Sequence, residues 1–169
     1  LASVDTDCLS TQKQTAPYRI ETGTLNYPAL AGVAAAIEFI SKMGEGDALE
    51  DRGHHAMQRL HEYEMSLAKQ YYDGLGALPG VIIRGPSIET LRTPTISFNH
   101  HSAPAGEIAD YLADKAIQVW HGHFYAQRVL DHYQLSDKGG LLRVGMSAYN
   151  TAEEVSRLLN ALENFIRHR

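Results

Sequence analysis

The sequence predicts an α+β protein: a small two-layer C-terminal domain with a short, mainly antiparallel sheet and helices, preceded by two long helices. Three observations lead there. Apolar residues recur at helical spacing up to about residue 75. Short β-branched runs punctuated by Gly and Pro follow, and the chain closes on an amphipathic, capped helix.

Residues 1–21 show no sustained period, and Pro17 interrupts them. Such a stretch is either a disordered tail or one that packs on something outside this sequence. Over residues 27–43, Leu30, Val33, Ala34, Ile37 and Ile40 form one helical stripe, with Pro28 suited to the first turn. Ala29, Ala31, Ala35 and Ala36 make the other sides apolar as well, so this helix is expected to be buried on more than one side. Gly44 and Gly46 end it. A second helix is expected from about residue 48 to 75, with Ala56, Leu60, Tyr63, Leu67, Tyr71 and Leu75 on one face.

Strands are expected at residues 81–83, 95–98, 117–120 and 141–144. A helix begins at Pro104, and a shorter one covers residues 125–133. Thr151 with Glu154 three residues on is a capping box, and Val155, Leu158, Leu159, Leu162 and Ile166 follow at helical spacing. The expected domains are residues 1–46, the end of a larger domain; 47–78, a connecting helix; and 79–169, the small α+β domain.

Composition excludes several classes. No run approaches the roughly twenty apolar residues of a membrane helix. A net charge of −5 with scattered basic residues disfavours a nucleic-acid partner. The single cysteine, Cys8, rules out an internal disulfide framework and fits a reducing compartment. No signal peptide is visible, so the cytoplasm is the expected location, and the missing starting Met points to residues upstream.

The 9 histidines raise the question of a metal. His54, His55 and His61 sit on a charged helix and are expected to face solvent. His100 and His101, with His121 and His123, form the other group, and neither has the spacing of an established metal motif, so no metal is expected. No GxSxG elbow, paired nucleophile and base, or glycine-rich phosphate loop is present.

Four segments in order resemble the C-terminal portion of class V aminotransferases of the cysteine desulfurase type. Tyr18-Arg19-Ile20-Glu21-Thr22-Gly23-Thr24-Leu25-Asn26 is similar to the family's R-F-E-x-G-T-x-N segment. Val119-Trp120-His121-Gly122-His123-Phe124-Tyr125-Ala126 resembles its V-R-x-G-H-H-C-A loop. Leu142-Arg143-Val144-Gly145-Met146-Ser147-Ala148-Tyr149-Asn150-Thr151 resembles x-R-x-S-x-x-x-Y-N-T, and the capped terminal helix follows it.

The resemblance implies a homodimeric fold type I enzyme that uses pyridoxal 5'-phosphate on an amino-acid substrate. An N-terminal large domain would carry the Schiff-base lysine, and none of Lys13, Lys42, Lys69, Lys115 or Lys138 lies in a segment similar to that lysine motif. It also implies that Gly23 and Thr24 meet the cofactor phosphate across the dimer, that Arg143 grips the substrate α-carboxylate, and that His123 and Tyr125 belong to the active-site loop. Tyr125 stands where the family has its sulfur-carrying cysteine, and Trp120 replaces the loop's leading Arg. A phenol cannot become a persulfide, so the usual desulfurase reaction is not expected, and this portion alone is expected to be inactive. The other reading is a freestanding, non-catalytic binding or assembly domain derived from the same fold.

Overall fold

The structure is a computed structural model describing residues 6, 7, 9–21 and 23–169. Cys8 and Thr22, and with them the expectation that Cys8 has no local partner, lie outside the described residues. The chain divides into two compact units, Leu1–Ala56 and Met57–Arg169.

In the first unit, residues 9–21 form turns that close on Gln12, whose side-chain amide donates to the carbonyls of Tyr18 and Glu21. Helix α1 spans Tyr27–Ser41, and Asn26 caps it by accepting from the Ala29 backbone N–H at 3.1 Å. Within this chain alone α1 is left uncovered. Leu30, Val33, Ile37 and Phe39 are all at least half exposed. An apolar helix needs cover to be stable in water, and no described segment of this unit supplies it.

Helix α2 spans Leu49–Ala77, so the boundary between the units falls inside it. Of its histidines, His54 and His61 are exposed as expected. His55 is instead half-buried, and its Nδ1 accepts from the Glu45 backbone N–H at 2.9 Å, fixing the turn after α1.

The second unit holds an antiparallel sheet of β1 (Val81–Arg84), β2 (Thr95–His100), β3 (Trp120–Gly122) and β4 (Leu141–Gly145), in the order β1-β2-β4-β3. Helices α3 (Ala105–Ala113), α4 (Gln127–Tyr133) and α5 (Ala152–Arg167) complete it. The register Ile83↔Phe98↔Leu142 sets one face of the sheet, because cross-strand partners point the same way. That face forms the core with Tyr71 and Leu75 of α2, Ile108 and Leu112 of α3, and Leu158 and Leu162 of α5. The other face carries Leu141, on which Leu130 and Leu135 pack together with Phe124 and Tyr133.

The third strand departs from expectation. It occupies residues 120–122 rather than 117–120. Ile117 and Val119 pack against the core while Gln118 is exposed, so their alternation comes from side-chain packing without a ladder. Just before them the chain turns out of α3 through Ala116 at φ 54°, with the Ile117 N–H returning to the Leu112 carbonyl. The expected helix at residues 125–133 starts two residues later, because Tyr125 lies in a left-handed turn.

The capping box is present in full: Glu154 N–H donates to Thr151 Oγ1 at 3.2 Å, and Thr151 N–H donates to the Glu154 carboxylate at 3.1 Å. Asn150 extends it, accepting from Ser147 N–H and donating to Glu154. These hydrogen bonds hold the Glu154 carboxyl below its usual range, Asn150 contributing most. Thr151→Ala is expected to lower stability by about 1 kcal/mol in urea denaturation, the ordinary value of such a cap.

His100 ends β2. Its Nδ1 accepts from the Ala103 N–H at 3.1 Å, so Nε2 carries the proton and donates to the Pro79 carbonyl at 3.2 Å. Burial, and then the neighbouring His101, push its pKa below 6.5 despite the opposing Pro79 carbonyl. A folded-state value below the unfolded one gives stability that is full above about pH 6.5 and is lost as pH falls through the folded value. The melting temperature is therefore expected to fall on acidification below that pH. His100→Asn, which keeps an acceptor but no titrating ring, should flatten this acid limb; an unchanged limb would assign it to other groups.

Candidate active site

The site is built on the sheet face opposite the main core. The pairings Arg84↔Ser97, Ser97↔Arg143 and Arg143↔Trp120 place four side chains in one row across all the strands. Arg143 is exposed, and its guanidinium carbon lies 4.6 Å from the Phe124 ring centre and 5.9 Å from that of Trp120. Both are within reach of a cation–π contact, and together they restrict a long side chain to one region. Among the described residues no carboxylate pairs with Arg143. Beside it lies a groove of about 490 Å³ lined by Thr95, Gln118, Trp120, Arg143 and Gly145, among others.

Phe124 reaches Arg143 because of the turn between β3 and α4. Ala126 N–H donates to the His123 carbonyl at 2.7 Å, while Phe124 and Tyr125 have φ of 51° and 57°. Two consecutive left-handed residues closed by such a bond define a type I′ turn, which ordinarily favours Asn-Gly. Bulky residues there cost on the order of 1–3 kcal/mol each. His123 offsets part of this cost: its Nδ1 accepts from the Tyr125 N–H at 3.0 Å, and its ring meets the Tyr125 ring edge-on at 5.7 Å. His123 thus holds the loop through one nitrogen, leaving Nε2 with no partner among the described residues. Tyr125 is 96% exposed at the tip.

Within the second unit His123 and Tyr125 share one turn, and Phe124 of that turn lies against Arg143. Gly23 and Thr24 belong to the first unit. Gly23 takes φ 82°, with open space where a Cβ would stand, and Thr24 is exposed with no hydrogen-bond partner among the described residues. Capping of α1 falls to Asn26, so the Thr24 hydroxyl is not used by its own helix.

The histidines do not gather. His121 sits on the core side of the sheet in register with Leu142, His123 lies in the turn, and His100 stacks obliquely on His101 at 4.5 Å. Among the described residues no three His, Cys, Asp or Glu side chains are placed to share a metal ion. Among the described residues, too, no helix is long and apolar enough to cross a membrane. Sequence reasoning missed Phe124 and Arg84 as neighbours of the site. Neither lies in a local pattern with its partner; strand pairing and the turn bring them there.

The chain belongs to the aminotransferase class-V family, whose model matches residues 2–158. More particularly, curated relatives of the chain are cysteine desulfurases. That of Klebsiella pneumoniae subsp. pneumoniae is 31% identical over 148 residues, covering 88% of this chain and 32% of its own length. That of Escherichia coli O127:H6 is 30% identical over 152 residues, covering 90% and 33%. The chain therefore spans about a third of these relatives. The apo cysteine desulfurase of Thermococcus onnurineus NA1 superposes with a TM-score of 0.75 at 26% identity, over 97% of this chain and 38% of that one. A C-DES variant with glycine covalently linked to its PLP cofactor shares the fold, with a TM-score of 0.60 at 21% identity over 86% and 31% of the two chains.

Proposed function

We propose that this chain is the C-terminal portion of a pyridoxal-phosphate enzyme that acts on an amino acid, with Arg143 holding the substrate α-carboxylate. The observation that carries the reading is the state of Arg143: confined by Phe124 and Trp120, exposed, and without a carboxylate partner among the described residues. A planar guanidinium in that condition is a fork awaiting an anion. The exposed apolar face of α1 supports a missing large domain, as does coverage of only a third of the relatives. On this reading residues 1–46 end that domain, residues 47–78 connect, residues 79–169 form the small domain, and the intact protein works as a cytoplasmic homodimer.

The residues present fit the cofactor at its phosphate. Gly23 leaves space for close approach, and the uncommitted Thr24 hydroxyl can donate to an anion. When bound, pyridoxal phosphate supplies an electron sink for bonds at the substrate's α-carbon. The chain's own residues do the rest. Arg143 orients the substrate, His123 fixes the loop that carries Tyr125, and Tyr125 presents a hydroxyl where a desulfurase offers a thiolate.

The test uses the intact, cofactor-loaded protein incubated with cysteine, beside its Tyr125→Cys variant. The wild type is expected to release little sulfide or alanine and to show no sulfur mass increment, and the variant to gain some of each. Robust desulfuration by the wild type, with the variant no faster, would overturn the role given to Tyr125.

A further inference from the structure

Arg84 is half-buried on β1, directly across β2 from Arg143. Adjacent strands lie about 4.8 Å apart, so the two backbones are separated by about 10 Å, within the combined reach of two arginine side chains. The Arg84 Nε–H donates to the buried Asn99 Oδ1 at 2.9 Å, and its guanidinium carbon lies 4.7 Å from the Tyr133 ring centre. These contacts fix the fork and leave both terminal amino groups unclaimed among the described residues. No carboxylate pairs with it there either. Between the two arginines stands Ser97, whose hydroxyl also has no partner among the described residues. The two arginines and the Ser97 hydroxyl thus belong to one row on one face of the sheet in a chain of net charge −5, and among the described residues no acidic side chain lines the groove beside Arg143. Two uncompensated cations on one face repel each other, and a ligand with two anionic groups relieves both.

We propose that Arg84 is a second, specificity-determining anion contact, so that the substrate is an amino acid with an acidic side chain. This rests on Arg143 taking the α-carboxylate. Arg84, helped by Ser97, then takes the distal carboxylate, and neutral amino acids of the same shape lack that contact.

The experiment is calorimetric titration of the intact, cofactor-loaded protein with aspartate against asparagine and glutamate against glutamine. A charge-assisted contact corresponds to about a 10- to 100-fold preference for the acid in each pair. Arg84→Gln, which retains an amide donor toward Asn99, is expected to abolish that preference while binding asparagine and glutamine as before. Arg84→Lys, keeping the charge without the fork, should retain part of it, and melting curves report whether each variant is folded. Wild type that binds amide and acid alike would overturn the proposal, as would a folded Arg84→Gln variant that keeps the preference. If Arg143→Gln leaves the affinity for all of them unchanged, the reading of Arg143 fails and this inference falls with it.

Discussion

Gly140→Ala is expected to destabilise the protein by about 2–5 kcal/mol, combining a left-handed backbone with overpacking. Gly140 has φ 80°, and an added Cβ would stand 2.3 Å from the Gly122 carbonyl oxygen and 2.5 Å from its carbon. Both are backbone atoms, which cannot swing aside as a side chain can. The contact joins the end of β3 to the start of β4, so the strain falls on the ladder that sets Trp120 beside Arg143. Gly139→Ala is the control. Its φ of 79° is almost the same, but the nearest heavy atom to its Cβ would be 3.7 Å away. It should cost only the conformational share, about 1–2 kcal/mol. Equal losses for the two variants in denaturant unfolding would show that close approach to Gly122 is not limiting.

The second large effect concerns Arg143. In the intact protein, Arg143→Ala is expected to raise the KM for an amino-acid substrate about 100-fold, since a bidentate guanidinium–carboxylate pair comprises two hydrogen bonds to charged groups. Cofactor absorbance should stay normal. Arg143→Lys should recover only part of the loss, because an ammonium cannot reproduce the planar fork. Trp120→Leu gives a graded version: it removes one of two rings near the guanidinium, and a several-fold rise in KM would follow from lost confinement. Unchanged kinetics in Arg143→Ala would remove this residue from substrate binding.

What the sequence disclosed follows the distance over which each feature is determined. The α5 capping box was legible because Thr151 and Glu154 interact within one turn. Helix α1 was legible as a helix, but its burial was not, since what covers an apolar surface lies outside the segment that bears it. At β3 the alternation of Ile117 and Val119 imitated a strand, when core packing alone produced it. Arg143 entered through resemblance. By composition it is one arginine among several, and its distinction, a cation beside two rings with no counter-ion among the described residues, exists only once Phe124 and Trp120 are folded beside it. Arg84 carried no local signal at all. Its relation to Arg143 depends on two strand pairings across most of the small domain.

The turn at residues 123–126 separates architecture from reactivity. Its two fixing bonds, from the Tyr125 N–H to His123 Nδ1 and from the Ala126 N–H to the His123 carbonyl, use only backbone donors. The side chain at position 125 meets the His123 ring edge-on and is otherwise 96% exposed. The conformational cost of φ 57° is nearly the same for phenol, thiol or hydroxyl, because it arises at Cβ. Evolution can therefore exchange the chemical group at this tip in a single step, at little cost in folding. Members of one family can then inherit the same scaffold while diverging in the reaction they perform.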